Sequence, residues 1–555
     1  MLSMNCNFSK DDLLFLPLGG AGEIGLNCYL YHDRGKWLII DLGLGFADPL
    51  HFPGVSILVP NVDFLIKHKK DIAGLVLTHA HEDHIGAVPY LWQELECPIY
   101  GTSFTTAILK AKFAEAMPQK AVKIVEVQTN TQFQVGPFSI ELVGLTHSIP
   151  EMQGIILETS RGKIFHTGDW KLDKDPVIGD STNEKRLKSL GDDGVLAMVC
   201  DSTNIFADGV SGSEGELAKS LRELISSVKN GTVVVTTFAS NIARIHSIAL
   251  AAEASGRRVA LIGRALWRCY EAAKECGYLT DLLPFVSERE IKKIRREDLL
   301  VICTGCQGEP LAAAAKLSND HHPSLKMAPG DLIIFSSKII PGNEKRIFQL
   351  FNKFCKLGVE VLTEQDHFVH VSGHPNRDEM ARMYKLVRPK IAIPVHGEAV
   401  HLHEHSKFAL AHGAKQSVEA ENGTLFRITE TKIETVGHIK AGKLAIDGNF
   451  ILASNSNILK MRRKLMNDGA VVVTLIFDSK SKILKPPTII APGVLDADED
   501  DDILSNMRDE IYNHFLGGKR YGTSEIRKYV ENTVRRVIKF EVGKTPEIVS
   551  QVEWL

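Results

Sequence analysis

Four potential metal ligands lie within six consecutive residues, directly after a short apolar run. Residues 72–78 are rich in β-forming side chains and predict a buried strand, and the segment that follows is His79-Ala-His81-Glu-Asp83-His84. Imidazole and carboxylate groups together suit Zn²⁺ or Mn²⁺. A lone histidine is usually a satisfied structural residue, but so many polar groups after a buried strand need a reason. We therefore predict a metal site on a strand-to-helix loop.

Length and composition predict an ordinary multidomain globular protein. The chain has 555 residues, which at roughly 100–200 residues per domain predicts about three domains. The net charge of −3 gives no general attraction to a polyanion, so nucleic-acid contacts must come from local clusters of Lys and Arg. The sequence has no uncharged apolar stretch of about 18 residues and no signal-peptide pattern. We expect a cytoplasmic protein that does not bind a membrane.

The nine cysteines do not show the spacing of a disulfide framework. Their number is odd, and they are scattered at positions 6, 28, 97, 200, 269, 276, 303, 306 and 355. This distribution is typical of a reducing compartment. Cys303-x-x-Cys306 could be half of a zinc or redox motif, but no second ligand pair accompanies it.

The order of apolar segments predicts an α/β domain that is interrupted by a second one. Short runs with polar ends, typical of strands around one shared site, lie at residues 140–145, 154–158, 163–166 and 195–201. A different pattern, in which helices alternate with strands, then occupies residues 214–228, 232–237, 243–254 and 258–262. That alternation is typical of a separate unit with a parallel sheet. Segments ending in His or Asp resume at 364–374 and 391–398, so the middle unit is predicted to be an insertion.

The tail from about residue 448 predicts a small α/β domain after a linker. Its predicted strands and helices are 471–477, 488–491, 503–515 and 524–539. In the first helix an apolar stripe is formed by Ile503, Met507, Ile511 and Phe515. The stripe could be the core of this domain or an interface between subunits.

The segment 79–84 matches H-x-H-x-D-H, the signature of the metallo-β-lactamase superfamily, and the rest of the pattern is found in L-T-H-S-I-P, H-T-G-D-W and I-I-D-L-G. This resemblance implies two metal sites that share one bridging carboxylate. The implied ligands are His79, His81 and His147 for one metal, Asp83, His84 and a later histidine for the other, and Asp169 as the bridge. Asp41 would orient the His loop from outside the ligand set, although a turn or cap Asp is an alternative. Such a pair of metals can activate water and clamp a phosphodiester.

Three later motifs resemble motifs A, B and C of the β-CASP group, whose members act on nucleic acids. They are C-D-S-T-N at 200–204, H-V-S-G-H at 370–374 and P-V-H-G-E at 394–398. The resemblance implies that His396 completes the second metal site. It also implies that Asp201 and His374 form the acid dyad for the leaving group, with Asp83 contributing to catalysis.

Four further segments make the chain similar to the ribonuclease J family: L-G-G-A-G-E-I-G-L-N at 18–27, T-F-A-S-N-I-A-R at 237–244, T-G-C-Q-G-E-P at 304–310 and I-F-S-S-K-I-I-P-G-N at 334–343. The implied fold is a metallo-β-lactamase αββα sandwich with an inserted α/β β-CASP domain and a small α/β C-terminal domain. The implied domains are the two lactamase parts at 1–206 and 356–440, the insertion at 207–355, a linker at 441–460 and the C-terminal domain at 461–555. Small departures from the family pattern are Ala243 and Cys306, where His and Ser are usual.

The resemblance also implies the contacts with RNA. The phosphate would be bound by His370, Val371, Ser372, Gly373 and His374, where small residues let backbone groups approach an anion. Ser240 and Asn241 open a predicted helix whose free N–H groups suit a phosphate or the RNA 5′ end, although simple capping by Ser240 is an equal alternative. Basic stretches at 257–258, 292–296 and 461–464 could line an RNA channel or form a solvated surface.

The sequence therefore predicts a zinc-dependent ribonuclease with two Zn²⁺ per chain, or Mn²⁺ instead. Family resemblance implies 5′-to-3′ exonuclease activity on 5′-monophosphorylated single-stranded RNA, endonuclease activity, and roles in RNA maturation and decay. It further implies a homodimer or homotetramer and a possible RNA-degradation complex. The alternatives are a β-CASP nuclease that acts on DNA and a metal-poor RNA-binding scaffold subunit.

Overall fold

The computed structural model describes residues 8–517 and 519–555, which form two compact units. The first unit comprises residues 8–45 and 59–442, and the second comprises residues 46–58 and 443–555. Cys6, one of the nine cysteines, lies outside the described residues.

Two mixed sheets pack face to face in the first unit. In spatial order the eight strands of one sheet are Ile433–His438, Thr424–Ile428, Leu14–Gly19, Cys28–Asp33, Lys36–Ile40, Ile72–Val76, Ile99–Gly101 and Ile124–Glu126. The seven strands of the other are Gln132–Val135, Phe138–Gly144, Gln153–Thr159, Gly162–His166, Ala197–Asp201, Ile391–Val395 and Gln416–Ser417. Side chains from both sheets, such as Phe15 and Ile164, share one buried core. This packing is the sheet-on-sheet centre of the predicted αββα sandwich.

Helices cover the outer faces of the sandwich because central strands such as Ala197–Asp201 and Ile391–Val395 are buried on both faces. The helices of this part of the chain are Asp63–Lys67, Glu82–Ile85, Val88–Leu95, Ser103–Ala116, Glu184–Asp193, Arg377–Val387 and Ala399–Ala411. Leu187 and Met380, from two of them, lie in a core with Met198 of the second sheet. The helical spacing predicted for residues 85–95 corresponds to two helices that are separated by Gly86 and Ala87.

The inserted unit, predicted at 207–355, lies within the first unit of the structure. It has the parallel sheet that its alternating sequence pattern predicts. Its strands, in spatial order, are Arg258–Ile262, Leu299–Cys303, Val233–Thr236, Leu332–Phe335 and Glu360–Leu362. Its helices are Glu214–Ser227, Ile242–Ala254, Arg264–Glu275, Ala313–Ser318 and Glu344–Lys356. The last strand, Glu360–Leu362, pairs with Leu332–Phe335. The sheet therefore extends past residue 355, which is the predicted end of the insertion.

A buried ion pair joins the first two helices of the inserted unit. Arg244 and Glu214 are 0% and 4% exposed, and the guanidinium Nη2 lies 2.8 Å from the carboxylate Oε1. Burial raises the pKa of Glu214, but the charge of Arg244 more than offsets it, so the pKa lies below its ordinary value. This contribution to stability is complete above the ordinary pKa of a glutamate and is lost as the pH falls through the lowered pKa.

Glu214→Gln is expected to destabilise the inserted unit by about 3–5 kcal/mol at neutral pH, because it leaves Arg244 buried without a counter-charge. Faster hydrogen exchange in the helix Ile242–Ala254 would report this change. The control is Glu216→Gln on the exposed face of the same helix, which should change stability by less than about 0.5 kcal/mol. Equal exchange in both variants would contradict a stabilising role for the pair.

The second unit contains a three-stranded sheet and three helices. The strands are Thr488–Ile490, Ala470–Phe477 and Glu547–Trp554, and the helices are Asn457–Asp468, Asp501–Phe515 and Thr523–Glu541. Met507, Ile511 and Phe515 belong to its core, so the apolar stripe in the tail is mainly core rather than an exposed interface. The predicted linker at 441–460 contains a hairpin of Lys443–Asp447 with Phe450–Ala453. Within the described ranges, no helix is long and apolar enough to cross a membrane.

Candidate metal centre

The predicted ligands meet because they follow the ends of neighbouring strands. His79 comes shortly after the strand Ile72–Val76, and Asp169 follows Gly162–His166. His396 follows Ile391–Val395 directly and has a left-handed backbone with φ of 53°. Its amide donates to the carbonyl of Gly20, 2.6 Å away, which holds this turn in place.

Three histidines form the first group. The Nδ1 atom of His81 lies 3.0 Å from Nε2 of His79 and 3.1 Å from Nε2 of His147. All three can offer one nitrogen atom to a common point. Burial lowers the pKa of His81 to about 4 and that of the other two well below the ordinary value, so the imidazoles are neutral and their lone pairs are available.

The second group consists of Asp83, His84, Asp169 and His396. Oδ2 of Asp169 lies 3.1 Å from Nε2 of His84, 3.4 Å from Nε2 of His396 and 4.0 Å from Nε2 of His147. Asp169 therefore lies between the two groups, the position expected of the predicted bridge. Although burial raises its pKa, the adjacent His396 and His84 lower it overall, so the carboxylate is charged.

This donor set fits a divalent metal site. Buried neutral imidazoles and converging carboxylates are the ligands that Zn²⁺ and Mn²⁺ take in proteins. Burial lowers the pKa of His84, but the three carboxylates around it, Asp169 first, raise it well above normal. So much negative charge around one buried ring shows that this pocket is suited to a cation.

Asp41 contacts the His loop and is not a member of the candidate metal groups. Its carboxylate accepts hydrogen bonds of 2.8 Å from the backbone N–H and the hydroxyl of Thr78. Its Oδ2 atom also lies 2.7 Å from Nδ1 of His84. Contact at Nδ1 leaves Nε2 of His84 directed at the candidate metal position, which is how outer carboxylates orient histidine ligands.

Asp201 and His374 form a close pair at the edge of the second group. Oδ2 of Asp201 lies 2.7 Å from Nδ1 of His374, while Oδ1 accepts from the amide and hydroxyl of Thr203 at 2.8 and 2.7 Å. Burial lowers the pKa of His374, but the Asp201 carboxylate outweighs it and raises the pKa to about 9. The pair can therefore hold a proton near neutral pH.

The segment 370–374 passes directly over the first group. Nδ1 of His147 lies 2.6 Å from the carbonyl oxygen of Gly373. A Cβ atom at Gly373 would lie 2.8 Å from the His147 ring, so only glycine permits this approach. Ser372 accepts from Asn204 at 2.8 Å and from the amide of His374 at 3.1 Å. Val371 is buried, whereas His370, Ser372 and His374 remain partly exposed.

The helix after residue 241 is capped by Asn241, not by Ser240. The Asn241 side chain accepts from the amide of Arg244 at 2.9 Å and is 4% exposed. It is therefore already used within the fold, while Ser240 is partly exposed. RNA contact by either residue stays a prediction.

The Cys303-x-x-Cys306 motif and Arg257 of the first basic stretch have structural explanations. Cys303 and Cys306 are buried, burial raises the pKa of both thiols to about 12, and neither belongs to a candidate metal group among the described residues. Arg257 is also buried and donates to the backbone carbonyls of Gly231 and Leu299.

Asn27 was missed by the sequence analysis, although it lies inside the second group. Its Oδ1 lies 2.8 Å from Nδ1 of His396, and its Nδ2 donates to the carbonyl and Oδ2 of Asp83 at 3.0 and 3.2 Å. The hydroxyl of Tyr29 donates to the same Oδ1 at 2.8 Å. A single Asn does not form a motif that predicts a role in a metal site. The only sequence feature that pointed to Asn27 was its position at the end of the family segment 18–27.

Asn27→Ala is expected to weaken metal binding about 10–100-fold, because His396 and Asp83 lose the partner that orients them. Tyr29→Phe, which removes the hydrogen bond to Asn27 but keeps Asn27 itself, should have a smaller effect in the same direction. Competition with a chromogenic chelator would measure both, with Tyr100→Phe in the same sheet as control. Unchanged affinity in Asn27→Ala would exclude this positioning role.

Fold and site together define a hydrolase of the metallo-β-lactamase superfamily with an inserted β-CASP domain. Family models match in chain order as "Beta-lactamase superfamily domain" (36–184), "Ribonuclease J, beta-CASP domain" (230–354), "Zn-dependent metallo-hydrolase RNA specificity domain" (358–418) and "Ribonuclease J C-terminal domain" (457–553). The chain belongs to the ribonuclease J family.

Relatives that match nearly the whole chain support this assignment. Ribonuclease J of Sinorhizobium meliloti is 38% identical over 97% of this chain and 96% of its own length. Ribonuclease J of Thermus thermophilus is 34% identical over 98% of this chain and 95% of its own length. Ribonuclease J 1 of Streptococcus pyogenes is 31% identical over 99% of this chain and 99% of its own length. A crystal structure of a protein of unknown function from Enterococcus faecalis matches the fold with a TM-score of 0.54 at 16% identity, covering 75% of this chain and 100% of that one.

Proposed function

We propose that this protein hydrolyses RNA as both a 5′-to-3′ exonuclease that favours a 5′ monophosphate and an endonuclease, in RNA maturation and decay. The coarse activity, a metal-dependent ribonuclease, follows from the family. The observation that carries the mechanism is the Asp201–His374 pair next to Asp169, whose carboxylate lies between the two ligand groups.

The proposed cofactors are two Zn²⁺ ions, with Mn²⁺ as the alternative. Their ligands would be His79, His81, His147, Asp83, His84, Asp169 and His396. When bound, such a pair supplies an activated water and charge stabilisation at the phosphodiester.

Side chains and backbone groups of the protein itself donate the proton and bind the substrate. Asp201 holds Nδ1 of His374, so the other ring nitrogen can protonate the leaving oxygen. Asp83 would assist catalysis through its place in the second group. His370, Ser372 and the backbone of Val371 and Gly373 would bind the phosphate next to the scissile bond.

Assembly and location are also part of the proposal. We expect a homodimer or homotetramer, association with an RNA-degradation complex, and a cytoplasmic location. Light scattering of the purified chain and fractionation of cells would test these expectations.

The deciding experiment is digestion of one structured, uniformly labelled RNA with a 5′ monophosphate, with Zn²⁺ or Mn²⁺, by wild type and by the double variant His81→Ala, Asp83→Ala. Mononucleotides from wild type alone would support exonuclease activity, and defined internal fragments would support endonuclease activity. Single-stranded DNA of the same sequence is run in parallel, and preferential DNA cleavage would favour the DNA nuclease. RNA binding without cleavage by either protein would favour the scaffold.

A further inference from the structure

A cavity of about 330 Å³ opens at the amino-terminal edge of the parallel sheet in the inserted unit. Thr232, which precedes the strand Val233–Thr236, and Leu299, which begins Leu299–Cys303, both line it. Its volume lies within the range of small-molecule sites in proteins, roughly 300–1,000 Å³.

The cavity is separate from the candidate metal centre. The segment that precedes His370 is attached to the opposite, carboxyl-terminal edge of the sheet, where Ser336 donates to the carbonyl of Val369 at 2.7 Å. Ser336 directly follows the strand Leu332–Phe335. Four-residue strands separate the two edges by on the order of 13 Å. A ligand in the cavity therefore does not contact the reacting groups.

The mouth of the cavity has one positive charge that the fold does not neutralise. Arg296 is paired with Asp331, and Lys326 lies 2.9 Å from Asp320. Lys292 is exposed and makes no ion pair or side-chain hydrogen bond with any described residue. The unpaired ammonium group of Lys292 is therefore the charge that can attract an anion here.

Deeper in the cavity the lining is apolar. Ile291, Leu299 and Leu325 are at most 6% exposed. The buried hydroxyl of Thr232 has no hydrogen-bond partner in the described part of the chain. Such unpaired groups are rare in proteins, and a bound water or ligand commonly completes them.

We propose that this cavity binds a small organic phosphate with a flat apolar body, of the nucleoside 5′-monophosphate class. The phosphate lies at Lys292, and the flat body packs on the apolar wall near Thr232. This site is independent of RNA hydrolysis, so its failure would leave the proposed function untouched.

The test is calorimetric titration of the full chain with adenosine 5′-monophosphate, adenosine and inorganic phosphate. Lys292→Glu is expected to weaken binding of the monophosphate at least about tenfold, the effect of losing a hydrogen bond between charged groups. Lys293→Glu, an exposed neighbour outside the cavity, is the matched control and should bind like wild type. The control also accounts for any nucleotide that binds at the metal centre.

Adenosine and phosphate alone are each expected to bind at least about tenfold more weakly than the monophosphate, because each makes only part of the contacts. Equal affinities in wild type, Lys292→Glu and Lys293→Glu would overturn the proposal. Phosphate binding as tight as that of the monophosphate would overturn the assigned ligand class.

Discussion

Asp169→Asn is expected to keep the fold and to reduce RNA cleavage to background. The carboxylate lies between the two ligand groups, so its loss affects both metal positions at once. An amide can offer one neutral oxygen but cannot bridge two cations as a carboxylate does. The loss should exceed the ~10–100-fold that follows removal of an outer hydrogen-bond partner.

Two measurements check this expectation: metal content per chain by mass spectrometry, and the initial rate on a labelled RNA at saturating metal. Asp193→Asn, an exposed carboxylate paired with Lys163, is the matched control and should behave like wild type. If Asp169→Asn retained two metals and the full rate, Asp169 would not be the bridge.

The second large effect is expected for His374→Ala, which should lower kcat about 10²–10⁴-fold while metal content stays unchanged. The ring is the proposed proton donor, and it contacts Asp201 rather than being a predicted ligand. His403→Ala removes an exposed histidine of the same unit and serves as control. A parallel loss of metal from His374→Ala would make His374 a ligand instead.

Asp201→Asn is expected to change the pH dependence of kcat, because it removes the carboxylate that pairs with His374. The Asp201 carboxylate raises the pKa of His374, so its removal lowers that pKa. A proton donor is active below its pKa, and the rate falls as the pH rises through it. The alkaline decline in kcat is therefore expected at lower pH in Asp201→Asn than in wild type.

The convergence of the predicted ligand side chains could be read from the sequence because H-x-H-x-D-H is contiguous and its partners follow strands. Asn27 was not predicted, since its role depends on contacts with residues about 56 and 369 positions away. The cap at Asn241 rather than Ser240 reflects a choice between two adjacent side chains that both cap helices well.

Other misses have similar physical causes. The strand Glu547–Trp554 alternates polar and apolar residues only loosely, and its parallel pairing with Ala470–Phe477 involves distant sequence. By contrast, the hairpin in the predicted linker has a two-residue turn, Gly448-Asn449, that was a usable signal. The cavity at Lys292 depends on three separate segments and cannot be found from any one of them.

The loop that carries Gly373 is fastened at both ends to different domains. The inserted unit holds Val369 through Ser336, and the lactamase sandwich holds Gly373 through His147. Only three residues lie between the two anchors, which leaves little slack. A displacement of the inserted sheet relative to the sandwich would therefore strain this loop, which carries the residues proposed to bind the phosphate.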